Sequence, residues 1–395
     1  MRPCVSVASL VLALWLTLWA EQTAAQPLTL TLEGWGQTYR PAALGNFEAR
    51  FHAYPWIRAE TQVWTGMVPR ESGGTGDVVV LAAYLREPTG HAEARVGRFV
   101  LTTGAVRPIH IDGGSVRVQN DHGTALEVFG GVPVVPRFAE RAYDWMVGGR
   151  VSQRIGRFGV VGASYVERRD HGREVDEELG VDAALYPGRN IDLSGRVSYD
   201  LVSRGLSEIQ ASLSMGSVDR RAELFTTVRN ASLMLPATSL FSVLSDAESV
   251  QAGASGRYRL APRLRVGGVA AYRGVGERHG ARVRADATLW LDDEGKGALE
   301  GAITRDGVSG GRWTGFRALV YRDVIEALRL MAEMELVRAD DEGSGAHLWP
   351  WGRLSGRYVL FEHWQVSVGA EGSASPQFVR LFQALVRLAY VGGAM

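Results

Sequence analysis

Residues 282–289 read Arg-Val-Arg-Ala-Asp-Ala-Thr-Leu, with polar side chains at 282, 284, 286 and 288 and apolar ones at 283, 285, 287 and 289. A period of two is the mark of a strand with one wet face and one apolar face. The same alternation recurs on both sides. Ile191, Leu193, Val197 and Tyr199 alternate with Asp192, Ser194, Arg196 and Ser198, and Trp364, Val366, Val368 and Ala370 with Gln365, Ser367 and Glu371. Turn-forming stretches separate such runs, among them Glu71-Ser72-Gly73-Gly74-Thr75-Gly76, Asn120-Asp121-His122-Gly123, Tyr186-Pro187-Gly188-Arg189 and Asp292-Asp293-Glu294-Gly295. Counted from about Asn46 to Tyr390, the runs predict about 18 strands, within bounds of 16 to 20. Residues 324–337 contain good helix formers, yet Leu328, Leu330, Ala332, Met334 and Leu336 alternate with Arg329, Glu333 and Glu335, so they are read as strand.

The chain has 395 residues, 46% hydrophobic and 22% charged, with one cysteine and equal totals of 43 basic and 43 acidic residues. This is too apolar for a disordered chain, too poor in cysteine for a disulfide scaffold and too balanced for an electrostatic nucleic-acid binder. Arg2 precedes an uncharged apolar run over residues 5–20, and Thr23-Ala24-Ala25 supplies small residues for cleavage. Residues 1–26 are therefore read as a secretory signal that carries off Cys4, with an uncleaved anchor as the alternative. No later stretch approaches the roughly 20 apolar residues of a membrane helix. The nearest, residues 231–245, contains Pro236.

Many amphipathic strands suit either a soluble sandwich or propeller or a transmembrane barrel. Three features favour a barrel over residues 27–395. The polar face is charged with both signs, as with Arg221, Glu223 and Arg229, or Arg329, Glu333 and Glu335. Aromatic residues gather near strand ends: Tyr143, Trp145, Tyr165, Tyr258, Tyr272, Trp290, Trp351 and Tyr358. An export signal precedes a cysteine-free chain. Hydrocarbon requires every backbone polar group to be satisfied internally, so strands cross it only as a closed ring. The expected fold is thus all-β, a single transmembrane antiparallel β-barrel in the bacterial outer membrane, in contact with its lipid.

The stretches Arg95-Val96-Gly97-Arg98-Phe99, Ile109-His110-Ile111-Asp112-Gly113-Gly114 and Leu126-Glu127-Val128-Phe129-Gly130-Gly131 resemble a segment of Gram-negative outer-membrane barrels of the alginate-export and related porin type. The resemblance spans about 40 residues. It implies a large single-chain barrel with an Arg-lined lumen, passing acidic polysaccharide or small anions beside periplasmic polysaccharide-export proteins. The final run, with Phe378, Phe382 and Tyr390, resembles the closing-strand signal read by the barrel assembly machinery.

Of the basic residues only Lys296 is lysine, so any ring of fixed positive charge is built from guanidinium groups. Arg196, Arg221, Glu223, Arg263, Arg265, Arg282, Arg284, Arg329, Glu333 and Arg357 are the expected lumen-facing charges, with a local cluster at 263, 265, 282 and 284. Residues 231–245 are read as an inward-folded constriction or a lipid-facing strand pair, and residues 132–141, rich in proline, as a loop. Eight histidines lack metal-ligand spacing, and no nucleophile elbow or nucleotide-binding loop occurs. Neither metal nor cofactor is expected, nor is nucleic acid as a partner. The function expected is a pore for an exported polysaccharide or for diffusing hydrophilic solutes. The rival readings are a plugged structural or adhesive barrel and a barrel enzyme acting on lipid.

Overall fold

A computed structural model of the chain describes residues 28–37, 42–54, 56–67, 74–135, 140–141, 144–170, 172–230, 248–340, 348–361, 363–374 and 381–392. The proposed signal and residues 231–245 lie outside them. The described residues form β1 (Leu28–Gln37), β2 (Ala42–Tyr54), β3 (Ile57–Met67), β4 (Gly74–Arg86), β5 (Ala92–Leu101), β6 (Ile109–Gln119), β7 (Thr124–Val135), β8 (Glu140–Arg141), β9 (Trp145–Arg154), β10 (Gly159–Asp170), β11 (Arg173–Gly188) and β12 (Ile191–Asp200). There follow β13 (Gly205–Gly216), β14 (Arg220–Arg229), β15 (Ser249–Ala261), β16 (Leu264–Val275), β17 (Arg278–Trp290), β18 (Gly297–Asp306), β19 (Trp313–Ile325), β20 (Leu328–Ala339), β21 (Leu348–Phe361), β22 (Trp364–Ser373) and β23 (Leu381–Gly392).

Each wall strand pairs antiparallel with the next, β7 passing to β9, while β8 only adds to the end of β7. The last strand returns to the first: β23 pairs with β1 from Gly392↔Leu30 to Leu385↔Gln37. Among the described residues the wall therefore has 22 strands, more than the 18 expected from sequence. Part of the shortfall has a local cause. One missing strand is β1, which lies before Asn46, where the expected runs begin; Pro133, expected in a loop, pairs with Ile111 and lengthens β7 without adding a strand. Residues 132–135 belong to β7, correcting the loop reading of 132–141 there. Residues 324–325 end β19, a turn follows, and the alternating run begins β20.

The alternation sorts the side chains as expected. Val283, Leu289, Ile303, Phe316, Val320, Leu354, Val368 and Val386 are exposed on one face. Arg196, Arg221, Asp286, Arg317 and Glu333 share the other. Tyr258 and Tyr358 stand near one end of the apolar face, and Trp145 and Tyr272 near the other, as interfacial belts require. Trp290 and Trp351 depart from the expected girdle. They register with the polar face, and Arg265 stacks 5.2 Å from the Trp290 ring. Tyr143 lies outside the described residues.

Short turns at 189–190, 262–263 and 326–327 lie at one rim, and the strand ends Arg229, Ser249, Ala339, Leu348, Ser373 and Leu381, which are separated by longer stretches of sequence, lie at the other. In outer-membrane barrels short turns are periplasmic and long loops extracellular. A strand spacing of about 4.8 Å and a tilt of about 40° give a circular ring of 22 strands a backbone diameter of about 44 Å. The extensive contacts between strands are all between ring neighbours.

Candidate constriction and its latch

On one side of the ring three strands leave the wall together. The β4–β5 ladder runs from Arg86↔Glu93 to Leu81↔Arg98 and stops, although β4 continues to Gly74. The β7–β9 ladder ends at Gly131↔Met146, although β7 continues to Val135. β5, β6 and β7 stay paired with each other to Leu101↔Ile109 and Ile111↔Pro133. Residues 98–101, 109–112 and 132–135 thus form a tongue at the long-loop rim.

The line of departure is made of glycine. Gly97 stands opposite Gly113, and Gly113 opposite Gly131. A Cβ on Gly113 would lie 2.1 Å from the Gly130 carbonyl oxygen, and one on Gly97, whose φ is 124°, 2.1 Å from that of Leu81. Backbones approach so closely only where no side chain intervenes. These are the glycines of the three stretches that carried the porin resemblance.

The connection over residues 102–108 folds from the tongue onto the polar face of the wall. Phe99, Leu101, Val106 and Ile111 pack with Ala82, Phe129, Met146 and Val166 in an apolar cluster. Each buried Val, Leu, Ile, Phe or Met side chain among them contributes about 1.5–3 kcal/mol. Beyond the cluster the connection is held by polar bonds. The Thr103 hydroxyl donates to Glu127 at 2.6 Å, and Ser198 donates to the Ala105 carbonyl at 3.0 Å. Arg107 donates through Nη2 to Glu178 at 2.9 Å and to Asp176 at 3.1 Å, and through Nε to Glu178 at 3.1 Å. Ala105 rests over Gly180, where a Cβ would come within 2.4 Å of it.

Charge is balanced beneath the latch. Arg107 and Arg168 face Asp176 and Glu178, and all four are under one-tenth exposed. Beside them Glu208, 1% exposed, lies 2.8 Å from Arg196 and 2.9 Å from Arg229. Arg150 grips Asp182 with two bonds, at 3.0 and 2.5 Å. Buried charges persist only when paired in this way. Further pairs line the polar face, among them Arg221–Asp192 at 3.0 Å, Arg273–Asp306 at 2.6 Å, Arg317–Glu333 and Arg387–Glu33.

Of the residues singled out from sequence, Arg196 joins the Glu208 cluster, Glu333 pairs with Arg317, and Arg329 pairs with Asp323. Glu223, Arg265, Arg282, Arg284 and Arg357 also register with the polar face. Arg263 does not. It sits in the short turn between β15 and β16 and holds Asp293 at 2.7 Å, which lowers the Asp293 carboxyl below its ordinary range through the hydrogen bond and then the nearby charge. The expected cluster at 263, 265, 282 and 284 is therefore divided between a turn and the wall. Sequence reasoning missed Thr103, Arg107, Asp176, Glu178 and Glu208. The one local signal was Gly104 and Val106 within a short connection, an apolar residue where a solvated turn needs none. Among the described residues no cluster of three or more His, Cys, Asp or Glu side chains is placed to hold a metal.

No family model matches the sequence, and neither does any curated protein sequence. Solved structures resemble the fold. The ferric enterobactin receptor PfeA in complex with BCV-L6 gives a TM-score of 0.59 at 11% identity, over 94% of this chain and 82% of that one. The siderophore receptor PirA from Pseudomonas aeruginosa gives 0.56 at 10%, over 94% and 81%. The translocation pore of the P pilus usher PapC gives 0.54 at 10%, over 93% and 99%. These neighbours are bacterial outer-membrane β-barrels, and at 10–11% identity the likeness shows a shared β-barrel fold. They support that class as a whole, without specific support for the alginate-export type.

Proposed function

We propose that the chain is a passive, water-filled conduit for hydrophilic solutes, narrowed at one side by the latched connection over residues 102–108. The observation that carries this reading is the ring itself: 22 strands, a polar inner face of paired charges, and among the described residues only a short segment folded onto it. Wall side chains cannot fill a ring about 44 Å across. Because both signs of charge stand round the wall, the field selects weakly between anions and cations; Arg196, Arg221, Arg284, Arg329 and Glu333 line it as members of ion pairs, beside Glu223, Arg265, Arg282 and Arg357. The same width admits a polymer chain, so an exported polysaccharide, delivered by periplasmic export proteins, is the second reading. Neither reading assigns the chain a catalytic role.

Liposome swelling tests it. Proteoliposomes should swell at rates that fall gradually with solute size, from monosaccharides to oligosaccharides. Rates equal to those of protein-free liposomes for every solute would replace the conduit with a plugged barrel.

A further inference from the structure

On the apolar face, beside the short turn between β13 and β14, the wall carries a depression. Met215, Ala222, Gly256, Tyr258 and Val266 line a groove of about 510 Å³, and Arg220 stands at its rim end. Sites for small ligands usually measure roughly 300–1,000 Å³. Register explains the groove. Met215 pairs with Ala222 and Ala222 with Gly256, while Tyr258 pairs with Val266, so two small residues lie low beside bulkier ones. Gly256 has no local need to be glycine, because a Cβ there would approach only the Arg221 carbonyl oxygen, at 3.9 Å. At Gly113 the missing side chain admits another backbone; at Gly256 it leaves space open toward the membrane.

The groove ends on a cation without a counter-ion. Arg220 is exposed, alternates onto the same face as Ala222 and Leu224, and stands directly opposite Tyr258. Cross-strand partners of this kind are about 5 Å apart at Cβ. The surrounding charges are already engaged. Arg221, on the polar face, holds Asp192 at 3.0 Å, and Asp219 in the turn holds Arg259 at 3.1 Å. Among the described residues no carboxylate lies within ion-pair distance of Arg220, and the Tyr258 hydroxyl has no hydrogen-bond partner. A guanidinium and a phenol therefore face the headgroup level above an apolar hollow, and no free carboxylate stands beside them.

We propose that this groove holds an anionic phospholipid of the periplasmic leaflet, with its phosphate on Arg220 and Tyr258 and the first part of one acyl chain over Ala222 and Gly256. Short turns mark the periplasmic rim, and a guanidinium takes phosphate oxygens in pairs. A zwitterionic head would bring an ammonium for which the site has no acceptor charge, so a net negative head is preferred. The proposal rests on the reading of the chain as a membrane barrel.

The test uses the full chain with Cys4→Ser and Leu224→Cys, carrying a bimane fluorophore beside the groove, in phosphatidylcholine bilayers. Brominated phosphatidylglycerol and brominated phosphatidylcholine are compared as quenchers at the same low mole fraction. Phosphatidylglycerol should quench as though enriched about five-fold, the preference that one arginine near an anionic surface gives. A fluorophore at Ile303→Cys, exposed on the apolar face away from the groove, should show no preference. Arg220→Gln should bring phosphatidylglycerol down to the phosphatidylcholine level, and Gly256→Val, whose side chain fills the hollow, should do the same. Equal quenching by the two lipids at position 224, or an equal preference at position 303, overturns the site. A preference that survives Arg220→Gln overturns its head, and one that survives Gly256→Val overturns its groove. The two labelled positions decide the matter even if a variant does not fold. Quenching by neither lipid at either position would contradict the membrane barrel and the site with it, whereas quenching without discrimination contradicts the site alone.

Discussion

Arg107, in the connection between β5 and β6, lies 2.9 Å from Glu178 on β11, with β7, β9 and β10 between them in the wall. One ion pair thus ties the tip of the tongue to a strand well round the ring. Removing one partner of a buried pair costs about 3–5 kcal/mol, because the other charge is left uncompensated. Arg107→Ala should free the connection and leave the wall intact. Single-channel recording should show a larger mean conductance with slow fluctuations, and Arg107→Lys an intermediate trace. A trace identical to the parent's would mean that residues 102–108 do not narrow the path.

The glycine line makes a second prediction. Gly113→Val places a side chain 2.1 Å from a backbone oxygen, whereas a Cβ at Gly301 meets nothing within 4 Å. Overpacking of this kind costs about 1–3 kcal/mol. The Gly113 variant should melt earlier in detergent, and Gly301→Ala should melt as the parent does. Equal melting of both would remove the close approach of β6 and β7.

Charge balance at the latch is read by selectivity. Glu208→Gln leaves Arg196 and Arg229 without their shared carboxylate. In a potassium chloride gradient the parent should give a reversal potential near zero, and the variant one displaced toward anions. A displacement toward cations, or none, would place Glu208 away from the permeation path.

The Arg263–Asp293 turn supplies a pH dependence. Arg263 holds the Asp293 carboxyl below the ordinary aspartate range. A depressed carboxylate contributes stability that is complete above its unfolded value and is lost as pH falls through the folded one. Carbon-detected titration of Asp293 should give a midpoint below that of a free aspartate, returning to it in Arg263→Gln. A midpoint already at the free value in the parent would break the pair.

Much of the wall was legible because each strand carries its own evidence. Val283 to Leu289 alternate without reference to any other residue, and Asp292 to Gly295 mark a turn by composition. The strand total was harder, since β1 lies next to the apolar leader, and the full length of β7 was hidden because Pro133 sits within a paired strand. The latch was not legible. Arg107 stands 69 and 71 positions from Asp176 and Glu178, and no local period links them. The Gly-Arg, Asp-Gly-Gly and Phe-Gly-Gly stretches were visible as a likeness, but their meaning is a register, Gly97 to Gly113 to Gly131, that only pairing reveals.

The central claim is that this ring encloses continuous water, and ion current across a planar bilayer measures it most directly. Purified chain should insert in discrete steps of ohmic conductance, proportional to the conductivity of the bathing salt. Folded, inserted protein that carries no current at any voltage would contradict it.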